Sequence, residues 1–195
     1  PRQVGPRCCG RAPPEGEYRI LDEGGADVPT GDPGVLLVRR NGPDPREGFF
    51  SGYYKDDEAT SEAWRDGWLH PGDVVRQGPD GSLFFVDRRK NIIRRSGENI
   101  SAAEVEATLL SHPDVGNCAV TAVPDPLRGD EVFAFVVAAA GSATNEAAAQ
   151  RLVEHCLKRL SYFKVPAYVA FLDHLPLTAS QKVNRKDLRG AACTR

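Results

Sequence analysis

The sequence predicts an α+β protein: a small β-barrel-like region, followed by a compact α+β domain in which a mixed sheet carries two main helices. Three observations support this prediction. Short apolar runs separated by Gly- and Pro-rich turns fill the first half of the chain. Helical spacing of apolar residues is concentrated after residue 100. The composition changes near residue 87, and a chain of 195 residues is long enough for two small domains.

Composition excludes several classes of function. Hydrophobic residues make up 41% of the chain and its net charge is −2, so a core can form without strong attraction to nucleic acid or anionic membrane. No apolar run approaches the ~20 residues of a membrane helix. Cysteines and histidines lack the spacing of a zinc site, and the five cysteines are odd in number. We therefore expect a cytoplasmic protein with no metal site of its own, no nucleic-acid partner and no membrane span.

The first half is predicted to be mainly β. Acidic residues at the start of residues 56–64 favour a short helix there, because the positive end of the helix dipole attracts them. Apolar runs at 74–75 and 83–86 flank a Gly-Pro-Asp-Gly turn, which predicts a hairpin. Two further strands are predicted at 18–21 and 35–39.

Helices and strands alternate in the second half. Ser101 and Glu104 have capping-box spacing, and the helix that they open must end by Pro113. Thr144 can cap a second helix. Its predicted buried stripe consists of Ala149, Leu152, Cys156, Leu157 and Leu160. The remaining predictions are strands at 91–94, 115–123, 131–139 and 167–172, a loop at 124–129 and a short basic helix near 185–189.

Two segments near the middle of the chain carry residues suited to binding a nucleotide. Asp73 ends the run Gly-Trp-Leu-His-Pro-Gly-Asp, and a carboxylate on such a turn can accept both hydroxyls of a ribose; alternatively it caps the turn. Residues 86–101 alternate apolar and basic side chains and contain a Gly turn, which suits a phosphate. The alternative for this segment is a solvated basic face or a weak nucleic-acid patch.

Two later segments are also candidates. Lys182 lies at the tip of a turn of small residues and can present an ammonium to a carboxylate and a phosphate; alternatively it is an ordinary exposed lysine. Residues 160–166 combine aromatic and basic side chains, and the alternative there is a helix-to-strand connection with core aromatics. Each segment is weak evidence when taken alone.

Together, these segments resemble the C-terminal part of the adenylate-forming superfamily, which includes acyl-CoA synthetases, luciferases and peptide-synthetase adenylation domains. The resemblance runs from about residue 10 to residue 188. It depends on the order of the motifs Gly52-Tyr53-Tyr54 with Thr60, residues 67–73, Asp87-Arg88-Arg89-Lys90, residues 96–100 and Glu104-Val105-Glu106.

The resemblance implies a reaction in two halves. A carboxylate attacks the α-phosphate of Mg-ATP to give an acyl-adenylate and pyrophosphate, and a thiol, usually CoA, then displaces AMP. Between the two steps a small C-terminal domain rotates about a hinge. ATP, Mg²⁺ and CoA are thus implied for the full enzyme, with a carboxylic acid as the second substrate.

The same resemblance assigns roles to individual residues. Lys182 would be the catalytic lysine of adenylation and, with Asp73 and Arg88, would bind ATP and AMP. Asp87 and Lys90 would form the hinge. The CoA-binding residues would be Ser96, Gly97, Arg128, Tyr162, Phe163 and Lys164.

The sequence departs from the family pattern in two respects. Gln181 stands where Gly usually precedes the lysine. The chain also begins after the phosphate loop, the acyl pocket and the Thr-Glu motif that holds Mg²⁺, and it contains no Met. We therefore expect residues 1–87 to be the β-rich end of a large N-terminal domain and residues 88–195 to be the mobile C-terminal domain, with the hinge near 87–91. The missing N-terminal large domain would be its partner, and this chain alone would be inactive.

Three functions are compatible with these residues. Residues 96–101 and 164–166 resemble the CoA-ligase branch, and most closely the medium-chain and crotonobetaine or carnitine ligases. A peptide-synthetase adenylation domain would load a carrier protein instead of free CoA. A stand-alone, non-catalytic binding module is the third.

Overall fold

The computed structural model describes residues 5–193, which separate into two compact units divided between Lys90 and Asn91. The predicted α+β class is confirmed, since each unit has its own sheet and helices cover the second. None of the helices among residues 5–193 is both long and apolar enough to cross a membrane.

The first unit is built on one antiparallel sheet. Its elements are β1 (Cys8–Gly10), β2 (Gly16–Leu21), β3 (Pro33–Arg40), α1 (Asp57–Ala63), β4 (Trp64–Arg65), β5 (Trp68–Leu69), β6 (Asp73–Gln77) and β7 (Leu83–Arg88). The strand order is β1-β7-β6-β3-β5-β4, with β2 paired to β3, and the described strands do not close into a barrel. Ile20, Val75 and Leu83 form the small buried core of this unit.

Strands β6 and β7 form the predicted hairpin. Gly78 N–H donates to the Ser82 carbonyl at 2.8 Å, and Gly81 has a φ of +80°, a conformation that glycine adopts without strain. At the far end of the hairpin the register pairs Asp73 with Arg88. The hairpin therefore brings together two residues that are 15 positions apart in sequence.

The second unit combines a mixed sheet with helices, and a short 3-10 turn, Arg89–Asn91, leads into it from the first unit. Its elements are β8 (Ile92–Arg95), β9 (Glu98–Ser101), α2 (Ala102–Leu110), β10 (Val115–Asp125), β11 (Gly129–Ala138), α3 (Glu146–Leu157), β12 (Tyr168–Phe171) and α4 (Arg185–Cys193). The strand order is β10-β11-β8-β9, with β12 parallel to β11 and the other pairs antiparallel.

Strand β11 is buried on both faces. Because side chains alternate along a strand, Val132, Ala134 and Val136 belong to the core under α2 and α3. Phe133 and Phe135 belong to a second core, which contains Leu188 and Ala192 of α4. This explains why β11 has a continuous apolar sequence instead of an alternating one.

Three predicted boundaries were wrong. The β10–β11 hairpin is longer than predicted, because the pair Pro124–Asp130 continues the ladder, and the loop is only residues 126–128. Helix α3 is capped by Asn145 rather than Thr144, since the Asn145 side chain accepts a 3.0 Å hydrogen bond from Ala148 N–H. Helix α4 runs on past residue 189 to Cys193.

The predicted stripe of α3 was also partly wrong. Its buried residues are Ala148, Leu152 and Cys156, whereas Ala149 is only partly buried and Leu157 is 52% exposed. The buried face of α3 therefore begins at Ala148, one residue before the predicted position.

Candidate functional site

Asp73 and Arg88 form an ion pair at the open end of the β6–β7 hairpin. Arg88 Nε lies 3.0 Å from Asp73 Oδ1, and Arg88 Nη1 donates to the Pro71 carbonyl at 2.8 Å. Asp73 Oδ1 is nevertheless buried and accepts no well-aligned hydrogen bond from the described residues. A buried carboxylate oxygen of this kind is suited to a hydroxyl donor brought by a ligand.

The turn before Asp73 is held by backbone contacts and by a histidine, His70, that lies beside Arg65. Gly72 has a φ of +78°, and its carbonyl accepts from Arg89 N–H at 2.8 Å. His70 Nδ1 lies 3.1 Å from Arg65 Nη2. Burial, and then the charge of Arg65, lower the pKa of His70.

Asp87 and Lys90 lie at the end of the first unit. Asp87 is buried within β7, and its carboxylate accepts a 2.7 Å hydrogen bond from Arg88 N–H. Lys90 is exposed in the 3-10 turn that follows. Rotation about this segment stays a prediction.

Ser96 and Gly97 form the two-residue turn between β8 and β9. Both have positive φ, +51° and +86°, as expected for the mirror-image turns that match the twist of a hairpin. Ser96 N–H donates to the Arg128 carbonyl at 2.8 Å, so this turn is joined to the β10–β11 loop.

Arg128 is held by Glu131, which sequence analysis did not select. Arg128 Nη1 lies 2.5 Å from Glu131 Oε1, and this hydrogen bond raises the pKa of Arg128. Arg95 approaches the other oxygen of Glu131, with its Nε 2.8 Å from Oε2. One carboxylate is thus shared by two guanidinium groups.

Tyr162, Phe163 and Lys164 form a 3-10 turn between α3 and β12. The Phe163 carbonyl accepts a 2.8 Å hydrogen bond from Arg95 Nη1. Lys164 Nζ donates to both oxygens of Glu104 at 2.8 and 2.9 Å. Tyr162 is 80% exposed, and its ring meets the Phe163 ring edge to face.

Lys182 lies in a closed hairpin turn. Thr178 N–H donates to the Lys182 carbonyl at 2.7 Å, and a bridge between Leu177 and Val183 closes the base. Gln181, with a φ of +60°, supplies the left-handed conformation of the turn. The Lys182 ammonium makes no hydrogen bond or ion pair with any residue that the structure describes.

Arg185, three residues after Lys182, fixes this turn to the sheet. Arg185 Nη2 donates to Glu106 Oε2 at 3.0 Å, and Nη1 donates to the Val120 carbonyl. Glu106 in turn accepts from Val120 N–H at 2.7 Å. Sequence analysis assigned Arg185 no role, because nothing in the sequence indicates that Glu106 and Val120 lie next to it.

The structure thus brings together some of the candidate residues of the second unit. Ser96, Arg128 and Phe163 are linked through hydrogen bonds and the shared carboxylate of Glu131. Among the described residues no hydrogen bond or ion pair joins Lys182 to this group. The same part of the chain, residues 5–193, contains no cluster of three His, Cys, Asp or Glu side chains that could hold a metal ion.

Comparisons with known proteins give the family. Residues 104–182 match the model of the AMP-binding enzyme C-terminal domain. The chain is 40% identical over 173 residues to the 2-succinylbenzoate–CoA ligase of Geobacillus kaustophilus. This alignment covers 89% of this chain and 33% of that protein. It is 38% identical over 174 residues to the crotonobetaine/carnitine–CoA ligase of Proteus mirabilis, with coverage of 89% and 32%.

Solved structures agree. The anthranilate CoA ligase AuaEII, in complex with anthranoyl-AMP, superposes with a TM-score of 0.82 at 29% identity, over 98% of this chain and 36% of that one. The amide bond synthetase McbA from Marinactinospora thermotolerans superposes with a TM-score of 0.77 at 34% identity, over 95% of this chain and 36% of that one. The chain shares its fold and the order of its motifs with these CoA ligases and with the amide bond synthetase. The chain belongs to the adenylate-forming (AMP-binding) superfamily, as its motifs indicated, and spans about a third of the length of these curated relatives.

Proposed function

We propose that this chain is the C-terminal portion of an ATP-dependent acyl-CoA synthetase. The overall reaction joins a carboxylic acid to CoA and converts ATP to AMP and diphosphate. The observation that carries the proposal is the Lys182 ammonium, which has no protein counter-charge among the described residues and stands on a hairpin fixed by Arg185. Such a cation is available for a ligand that carries negative charge.

In the first half-reaction, a carboxylate oxygen of the acid attacks the α-phosphorus and the bond to the β-phosphate breaks. Negative charge builds up on the oxygens between the two reactants, and Lys182 would stabilise it. Asp73 would accept hydrogen bonds from the ribose hydroxyls through its buried oxygen, with Arg88 holding the carboxylate in place. Within residues 5–193, no group of carboxylates fits the Mg²⁺ that would accompany ATP.

In the second half-reaction, the thiol sulfur attacks the carbonyl carbon of the acyl-adenylate, the thiol loses its proton and AMP leaves. Ser96 and Gly97 would line the path of the thiol. Arg128 and the turn at Tyr162, Phe163 and Lys164 would bind the nucleotide part of CoA. Rotation near Asp87 and Lys90 would exchange these residues for Lys182 at the same phosphate.

The test uses the polypeptide that carries this chain together with the N-terminal region found in its relatives. We expect Lys182→Ala to abolish ATP–pyrophosphate exchange and to spare thioester formation from preformed acyl-AMP. Lys186→Ala, which removes an exposed lysine of α4, is the matched control and should leave both rates unchanged. Equal loss of both half-reactions in Lys182→Ala would overturn the proposed role of the lysine.

A carrier-protein acceptor is a second candidate, favoured by one observation. Arg128 and Lys164, two of the cations expected to meet CoA, are each paired with a carboxylate of the same unit. Binding of free CoA, measured by calorimetry, separates the two functions. Tight CoA binding favours the CoA ligase, and no binding at millimolar CoA favours the carrier protein.

A stand-alone binding module is tested by the size of the natural polypeptide. Blotting an extract of the source cells with an antibody to this chain should give one band far above 21.2 kDa if the chain is part of a ligase. A band at 21.2 kDa would contradict the catalytic proposal.

A further inference from the structure

Glu131 lies almost completely buried at the start of β11, with only 3% of its surface exposed. Its two oxygens meet two different guanidinium groups, Arg128 at 2.5 Å and Arg95 at 2.8 Å. A buried carboxylate is costly unless it is paired. Here both oxygens have a guanidinium within 2.8 Å, but only Oε1 accepts a well-aligned hydrogen bond, from Arg128. The cluster keeps one net positive charge.

The two arginines connect Glu131 to the three segments proposed to face the thiol acceptor. Arg95 immediately precedes the Ser96-Gly97 turn and donates to the Phe163 carbonyl at 2.8 Å. The Arg128 carbonyl accepts from Ser96 N–H at 2.8 Å. Loss of the carboxylate would therefore loosen both arginine side chains and, through Arg95, the turn at Phe163, whereas the backbone hydrogen bond that holds the Ser96-Gly97 turn would remain.

The two arginines differ in how far their side chains are exposed to solvent, and this difference indicates different roles. The Arg95 side chain is largely buried, whereas the Arg128 side chain is 51% exposed. A guanidinium has five N–H donors, and the contact with Glu131 uses only part of them. The remaining donors of Arg128 are free to meet an anion from solvent.

We propose that Glu131 is a positioning residue for the acceptor step: it orients Arg128 toward an acceptor phosphate and fixes the turn at Phe163 through Arg95. This inference rests on the proposed function. It makes Glu131, a negatively charged residue, a contributor to the binding of a negatively charged ligand. If Glu131 merely screened the charge of Arg128, its removal would strengthen that binding. The two roles therefore predict opposite changes in the KM for the acceptor when Glu131 is replaced.

The test compares two acceptors in the same full-length enzyme. CoA carries the nucleotide phosphates, and pantetheine carries the same thiol arm without them. We expect Glu131→Gln, which keeps the side-chain volume, to raise the KM for CoA about tenfold, because a displaced binding group loses much of its effect. The KM for pantetheine and the ATP–pyrophosphate exchange rate should stay within about twofold of wild type. Glu154→Gln, on the exposed side of α3, is the matched control.

Each other outcome is decisive. A lower KM for CoA in Glu131→Gln would overturn the proposal in favour of screening, and equal losses with CoA and pantetheine would indicate a merely structural role. If Glu131→Gln fails to fold, Arg128→Ala replaces it, and an unchanged CoA KM in that variant would overturn the proposal. A wild-type enzyme that exchanges pyrophosphate but does not use CoA would instead contradict the proposed function.

Discussion

Gln181 takes a left-handed backbone conformation, φ +60°, in the turn that carries Lys182. A residue with a Cβ is strained there by ~1–2 kcal/mol, whereas glycine is not. We expect Gln181→Gly to raise the free energy of unfolding by about 0.5–1 kcal/mol, since the greater freedom of glycine in the unfolded chain offsets part of the gain. Urea denaturation measures the change.

A glycine placed in regular helix provides the control. Gln150 lies exposed within α3, where glycine is unfavourable, so Gln150→Gly should lower the free energy of unfolding by about 1 kcal/mol. If Gln181→Gly also lowered the free energy of unfolding, the left-handed conformation of Gln181 would not be a significant source of strain.

His155 makes stability depend on pH. Its Nε2 lies 2.8 Å from Ser111 Oγ and 3.1 Å from the Thr108 carbonyl, and its ring meets that of His112 edge to face. Burial, and then the nearby charge of Arg159, lower the pKa of His155. The folded state therefore favours the neutral ring, and this contribution is complete above the unfolded pKa of ~6.5.

As the pH falls below that value, the unfolded chain takes up the proton first and the folded state loses stability. We expect the urea midpoint to fall between pH 7.5 and pH 5.5, and His155→Gln to reduce that fall. His174→Gln removes an exposed histidine and should not change it. His70, whose pKa is lowered in the same direction, accounts for part of the slope that persists.

At the scale of single residues, the sequence predicted candidates far better than it predicted their partners. Asp73 and Arg88 could be selected by motif, and the hairpin that pairs them followed from the turn between their strands. Glu131 was missed, because a lone carboxylate before an apolar run is typical of a solvated strand end. Only the fold shows that Arg95 and Arg128 converge on it from separate elements.

At the scale of elements, the first turn of α3 shows what a pattern can and cannot distinguish. Thr144 and Asn145 are both good N-caps, so the sequence alone left the choice to the assumed buried face. In the structure Asn145 accepts from Ala148 N–H, which fixes the helix start one residue later. The burial of Ala148 instead of Ala149 is a separate difference, because Ala148, Leu152 and Cys156 follow one another at four-residue spacing on one face of the helix.

The cap gives a direct prediction. We expect Asn145→Ala to lower the free energy of unfolding by about 1 kcal/mol, because it leaves an amide of the first turn without its acceptor. Thr144→Ala should change it by no more than about 0.3 kcal/mol, as is usual for an exposed position. Equal effects in the two variants would mean that Asn145 is not the cap.

The β10–β11 hairpin illustrates a limit of a different kind. Pro and Asp near residues 124–126 indicate a loop, yet Pro124 still pairs with Asp130 in the ladder. Asp125 makes the shorter loop possible, since its carboxylate accepts from Leu127 N–H and Arg128 N–H at 2.9 and 2.8 Å. Turn-forming residues thus predict where the chain reverses direction more reliably than they predict the length of the loop.

At the scale of the whole molecule, the boundary between the two units carries three exposed basic residues, Arg88, Arg89 and Lys90. We expect brief treatment with trypsin to cut first in this segment and to release a fragment that starts within residues 89–91 and resists further cleavage. Mass spectrometry of the early products measures the site. Early cuts spread through residues 91–193 would show that the second unit is not compact by itself.

The double burial of β11 has a consequence for biosynthesis. When the β10–β11 hairpin leaves the ribosome, both of its faces are apolar, and its parallel partner β12 has not yet been made. The face formed by Phe133 and Phe135 stays uncovered until Leu188 and Ala192 of α4 emerge. Nascent chains at this stage would expose an apolar surface that is prone to aggregation. Translation that stalls between α3 and α4 should therefore yield chaperone-bound or aggregated products, whereas a stall after α4 should not.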